Sequence, residues 1–127
     1  ARSIMGHPIY LARVYDPPQA GQGLRVLLDR LWPRGISKAV LKADHWPKEL
    51  TPSNDLRRWL HADLARWDGF APRYRAELAA VPDAVAACLD WCRAGPVTLM
   101  TAARAPEHSH VAVLRDYLRE RLAGGTA

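Results

Sequence analysis

The stretch LRVLLDRL, residues 24–31, carries Leu and Val almost without interruption and shows little apolar–polar alternation. A strand of that kind belongs in a sheet covered on both faces, the usual situation of parallel strands flanked by helices. It runs directly into WPRGISK, residues 32–38, where a tryptophan, two cations and the turn residues Pro33 and Gly35 are packed together. In open parallel sheets ligands bind beyond the carboxyl ends of the strands. A buried strand that ends in charge is therefore read as one wall of a ligand site.

Outward from this stretch, PIYLARVY (8–15) is a second β-rich run, stopped where Asp16 meets Pro17 and Pro18, which cannot continue a ladder. VTLMTAA (97–103) is a third short apolar strand. Residues 39–50 read as a linker. TPSNDLRRWLHADL (51–64) opens a helix, with Thr51 or Ser53 as cap and Pro52 suited to a first turn. A second helix is predicted over about 68–80, where Phe70, Tyr74, Leu78 and Val81 recur at helical spacing. A third covers about 83–94, with Val85, Cys88, Leu89 and Cys92 on one stripe and Gly95-Pro96 as its stop. VAVLRDYLRERL (111–122) closes the chain as a helix. The order strand, strand, helices, strand, helix predicts an α/β fold: one small layered domain over 1–127, whose short, mainly parallel sheet of three strands or slightly more is flanked by helices. The ends, 1–7 and 123–127, are expected to fray.

The chain has 127 residues, 49% hydrophobic and 24% charged, an ordinary globular composition. No apolar run approaches the roughly 20 residues that cross a bilayer, and the N-terminus shows no apolar segment of signal-peptide type. No membrane partner is expected. Cys88 and Cys92 fall on one helix face, where a disulfide is geometrically poor; they read as buried thiols, which favours a reducing cytoplasm. The net charge of +5 and pI of about 9.7 suit anionic partners. The basic residues are dispersed, which favours a small anion over a polymer, with nucleic acid as the alternative. Five tryptophans leave room for a third reading, a non-catalytic interaction protein. Gly21 and Gly23 do not make a dinucleotide fingerprint, since Val26 stands where the third glycine would fall.

If the strands are parallel, Tyr15-Asp16, the segment 29–34 and the segment 102–110 share one rim. Arg30, Arg34, Lys38, Arg57 and Arg104 are the candidate anion-binding residues. Trp32 is a candidate stacking surface, with a core role as its alternative. His108 and His110 are the candidates for proton exchange, since histidine titrates near neutral pH, and Asp29 would orient one of them. The His-x-His spacing fixes no third ligand, so a divalent metal at His108 and His110 is the lesser reading and no cofactor is predicted. Ser109 lacks the elbow sequence that would make it a nucleophile.

RVYDPP, RVLLDRLWPRGISK, DHWPKEL-TPSNDLRRWL and VTLMTAARAPEHSHVAVLRDYL together resemble the YeaO-like family of small bacterial proteins, part of a wider uncharacterised DUF superfamily. The resemblance runs from Ile9 to about Leu118. It places family motif positions on Asp29, Arg30, Trp32, Arg34, Lys38, Arg57, His108 and His110, and implies no established activity. Three departures stand out. Thr101 to Ala105 replace a family YAAKD, removing a tyrosine and an acid. His108-Ser109-His110 replaces HNH, and His61 to Leu64 replace HHDP. Larger relatives often carry a cysteine where this chain has Ser109, so the resemblance implies that thiolate chemistry is unavailable here.

Overall fold

In a computed structural model, residues 7–17 and 19–124 are described. Three strands, β1 (Ile9–Arg13), β2 (Leu24–Leu27) and β3 (Val97–Thr101), form one sheet in the order β1-β3-β2. Both pairings are parallel, with Leu11 opposite Leu99 and Val26 opposite Leu99. The chain is thus a small α/β domain with the parallel sheet that the apolar strands predict. All five residues of β3 are buried, as a central strand with both faces covered requires.

One face carries Ile9, Val26, Leu28, Val97 and Leu99 into the main core. Four helices supply the rest of that core: α2 (Asn54–Ala62), α3 (Trp67–Ala79), α4 (Pro82–Ala94) and α5 (His110–Gly124). Leu56 and Leu60, Phe70, Tyr74 and Leu78, Val85, Cys88 and Cys92, and Leu114 and Leu118 are the buried positions of those helices. The Tyr74 hydroxyl, buried, donates to the Leu50 carbonyl. The opposite face is covered more thinly. Leu27 and Met100 meet Val14 and Leu41, with Trp32 and Trp46 packed over them.

Several boundaries differ from the sequence reading. The strand expected over 8–15 ends at Arg13, that over 24–31 at Leu27, and that over 97–103 at Thr101. Residues 39–50 are no free linker. They hold a one-turn helix, α1 (Lys38–Leu41), capped by the Ser37 hydroxyl, and then lie alongside β2. There the Leu27 N–H donates to the His45 carbonyl at 2.9 Å, and the Asp44 N–H to the Arg25 carbonyl at 2.7 Å. Ser53, not Thr51, caps α2: its hydroxyl accepts from the Leu56 N–H and donates to Glu77 at 2.6 Å. Fraying expected at 1–6 and 125–127 lies outside the described residues, while 123 and 124 complete α5.

Gly23 also finds its reason. Its φ is +71°, and a Cβ there would stand 1.9 Å from the Pro96 carbonyl oxygen, so only glycine lets β2 start against the end of the α4–β3 turn. Cys88 and Cys92 are free, buried thiols; their mutual hydrogen bond and burial push the Cys88 thiol far above its ordinary range. Among the described residues no helix is long and apolar enough to cross a membrane.

Candidate functional site

Beyond the carboxyl ends of β2 and β3 a cavity of about 550 Å³ opens between the strand ends and the α2–α3 pair. Its floor is built by one carboxylate. After Leu27 the chain keeps a single further ladder bond, from the Leu28 N–H to the Met100 carbonyl at 2.9 Å. Then the Asp29 side chain takes over from the backbone. Its Oδ1 accepts from the Thr101 hydroxyl and its Oδ2 from the Ala102 N–H, both at 2.7 Å. The Asp29 carbonyl accepts from the Trp46 indole N–H at 2.7 Å. Hydrogen bonds to an ionised acceptor are the strong ones, so Asp29 locks the ends of two strands together.

His110, the first residue of α5, reaches across to the same place. Its Nε2 lies 2.6 Å from the Leu28 carbonyl and 3.7 Å from Asp29 Oδ1. A carbonyl only accepts, so Nε2 carries the proton and donates it. Burial lowers the His110 pKa below its ordinary value, and the charge of Arg57 works the same way; the Leu28 bond and the Asp29 charge oppose the shift. The ring is therefore held neutral and is oriented by a backbone carbonyl rather than by Asp29.

The cations divide sharply. Arg30 lines the cavity, but its Nε and Nη2 donate to the Pro52 and Thr51 carbonyls, both at 3.3 Å. Arg57, half-buried on α2, contributes to the wall. Among the described residues no carboxylate lies within 4.0 Å of either guanidinium. The hydroxyls nearby are engaged: Thr51 donates to the Lys48 carbonyl, and Ser109 donates to the Pro106 carbonyl while accepting from the Val111 N–H. Ser109 thus shapes the start of α5, in keeping with the absence of a nucleophile motif.

Of the residues singled out from sequence, Asp29, Arg30, Trp32, Arg57, His108 and His110 stand around this one cavity. Arg34, Lys38 and Arg104, grouped with them as anion candidates, are not among its lining residues. Gly35 turns the chain at φ +74°, and the Arg34 carbonyl accepts from the Tyr15 hydroxyl. Lys38 begins the exposed helix α1. Arg104 projects from the exposed bend after β3, and it is Arg13 that bonds the Ala102 and Ala103 carbonyls. The end of β1 lies on the same sheet edge, with Arg13 opposite Thr101 and the Val14 N–H donating to the Thr101 carbonyl at 2.9 Å, but it is not among the residues that line the cavity. Trp32 donates its indole N–H to the Ile36 carbonyl at 2.7 Å and meets Trp46 edge-on, with ring centroids 5.3 Å apart. Among the described residues no three His, Cys, Asp or Glu side chains stand close enough to hold a metal ion.

Sequence reasoning passed over the apolar walls. Trp67 and Phe70, stacked with centroids 5.2 Å apart, line the cavity together with Leu60. Leu31 and Leu64 line it while remaining 71% and 70% exposed. The three-residue spacing of Trp67 and Phe70 is the same signal that marks a core-facing helix stripe, so spacing could not separate the two roles.

The sequence profile of the DUF488-N3i family, described as the inactive DUF488-N3 subclade, matches residues 8–126. The chain is 41% identical to the uncharacterised protein YeaO of Escherichia coli over 111 residues, 87% of this chain and 96% of that protein. It is 40% identical over 113 residues to uncharacterised proteins of Mycobacterium bovis and Mycobacterium tuberculosis, covering 89% of this chain and 95% of each. No solved structure gives a significant match.

Proposed function

Because this chain belongs to the DUF488-N3i family, the inactive DUF488-N3 subclade, we propose that it binds a small anionic ligand in the strand-end cavity without turning it over. The observation that carries this reading is Arg57, a half-buried guanidinium in the wall of a concave site with no carboxylate partner among the described residues. A guanidinium in such a place favours a carboxylate or phosphate oxygen, which it can meet with two parallel hydrogen bonds.

The remaining polar groups support binding over chemistry. An acid/base pair needs a histidine that exchanges its proton with the ligand and a carboxylate that orients it. Here the His110 Nε2 proton is directed at the Leu28 carbonyl, and both Asp29 oxygens are engaged by Thr101 and Ala102. The groups that the sequence suggests as catalytic act here as the framework of the site. His108, exposed at the rim, is free of that framework and stands where a ligand would enter.

The test is a titration of isotopically labelled protein with inorganic phosphate, adenosine monophosphate, benzoate and octanoate, followed by amide chemical shifts. At least one anion is expected to move the resonances of 101–103 and 109–111. Arg57→Met is expected to weaken that binding by about tenfold or more, the scale of one lost charge-assisted contact. Silence at those amides with every anion, or equal affinity in the Arg57 variant, overturns the reading. Retention on DNA that falls steeply with salt would favour the polymer alternative instead.

A further inference from the structure

We propose that the ligand of this cavity is an amphipathic monocarboxylate, its acid group at Arg57 and its apolar body lying along Trp67 and Phe70 towards Leu31 and Leu64. This rests on the anion-binding reading above and narrows it, and three observations carry it.

The first is the charge available. Among its arginines and aspartate the lining contains two guanidinium groups and one carboxylate, a net single positive charge. Arg30 has two of its donors committed to the Thr51 and Pro52 carbonyls, so one cation, Arg57, faces the ligand with its donors unassigned. A singly charged acid group matches that balance; a phosphate dianion leaves a negative charge without a partner in a cleft only partly open to water.

The second is the supply of neutral donors. Phosphate sites surround the extra oxygens with hydroxyls and backbone N–H groups. In this cavity the Thr101 hydroxyl and the Ala102 N–H are held by Asp29, the Thr51 hydroxyl by Lys48 and the Ser109 hydroxyl by Pro106. A carboxylate needs only the two donors that a single guanidinium offers.

The third is the wall. Leu60, Trp67 and Phe70 give one apolar side. Leu31 follows β2, whereas Leu64 lies in the turn between α2 and α3, yet both line the same cavity and both remain largely exposed. Exposed leucines meeting at the mouth of a cavity from separate segments are an apolar surface that a small inorganic anion leaves in water. An apolar tail covers it, gaining about a fourfold affinity increase for each methylene removed from water.

The experiment compares acetate, butyrate, hexanoate and octanoate, each as the sodium salt, with octanol and with inorganic phosphate, by calorimetry and amide shifts on the intact chain. Affinity is expected to rise about three- to fourfold per added methylene until the tail fills the cavity. Arg57→Met is expected to weaken octanoate about tenfold or more and leave octanol unaffected. The double variant Leu31→Ser, Leu64→Ser changes only exposed side chains, so folding should be preserved; it is expected to weaken octanoate about fivefold and leave acetate unchanged. Phosphate binding more tightly than octanoate, through Arg57, would overturn the carboxylate class while the anion site stands. Octanoate binding that is indifferent to both variants would overturn it as adventitious hydrophobic adsorption. If neither carboxylates nor phosphate bind, both the class and the anion site fall.

Discussion

Residues 29–33 and 34–38 are adjacent, each carries two charged side chains and they are joined by one turn, yet those charges end in opposite environments. Asp29 and Arg30 are drawn inward by partners distant in sequence: Thr101 and Ala102 for the acid, Thr51 and Pro52 for the base. Arg34 and Lys38 stay exposed and do not line the cavity; their segment is held by the Tyr15 hydroxyl on the Arg34 carbonyl, the Trp32 indole on the Ile36 carbonyl and the Ser37 cap. The difference teaches that a charge at a strand end becomes part of a site only when backbone groups from other strands need it. Asp29 satisfies the polar ends of a buried strand; Arg34 satisfies nothing that water cannot.

The comparison breaks most visibly at Asp29. Asp29→Ala leaves the Thr101 hydroxyl and the Ala102 N–H without acceptors and is expected to cost about 3 kcal/mol in urea unfolding. Asp29→Asn is expected to recover little of this, since an amide offers one acceptor oxygen for two donors. If both variants unfold like the parent, the claim that this carboxylate locks the strand ends is wrong. Trp46→Phe removes the indole donor to the Asp29 carbonyl while keeping an aromatic body, and should cost about 1 kcal/mol by the same assay.

A pH series sharpens the contrast further. His110 has a folded pKa below its ordinary 6.5, so the unfolded chain takes up that proton more readily than the folded one. Stability from this residue is therefore complete well above pH 6.5 and declines as pH falls through and below that value. His110→Gln, which keeps a donor for the Leu28 carbonyl but does not titrate, is expected to flatten the fall in stability between pH 7 and 5. Equal slopes in the two proteins would show that His110 is not held neutral. The smallest effects belong to the outer half. Arg34→Ala and Lys38→Ala should each change stability by less than about 0.5 kcal/mol. Each should also leave anion affinity within about twofold; a tenfold loss in either would return that residue to the site.

Much of this was legible beforehand. The almost continuous apolar run at 24–28, interrupted by Arg25 alone, announced a strand covered on both faces, and Gly95-Pro96 marked the turn into β3. The strand-end rule placed Asp29, Arg30 and the two histidines near one another. The roles were not legible, because a histidine aimed at a carboxylate and one aimed at a carbonyl read identically. Nor were the walls, since Trp67 and Phe70 obey the same periodicity as core residues.

The sequence by itself determined the three strands and the four longer helices and pointed to a mainly parallel sheet. Those properties follow from local apolar spacing, turn residues and the need to cover both faces. Only the tertiary structure decided which charges are enclosed and which wetted. That choice depends on donors and acceptors far apart in the chain, 82 residues between His110 and Leu28 and 90 between Arg13 and Ala103, and a buried polar group takes whatever partner the packing brings within reach.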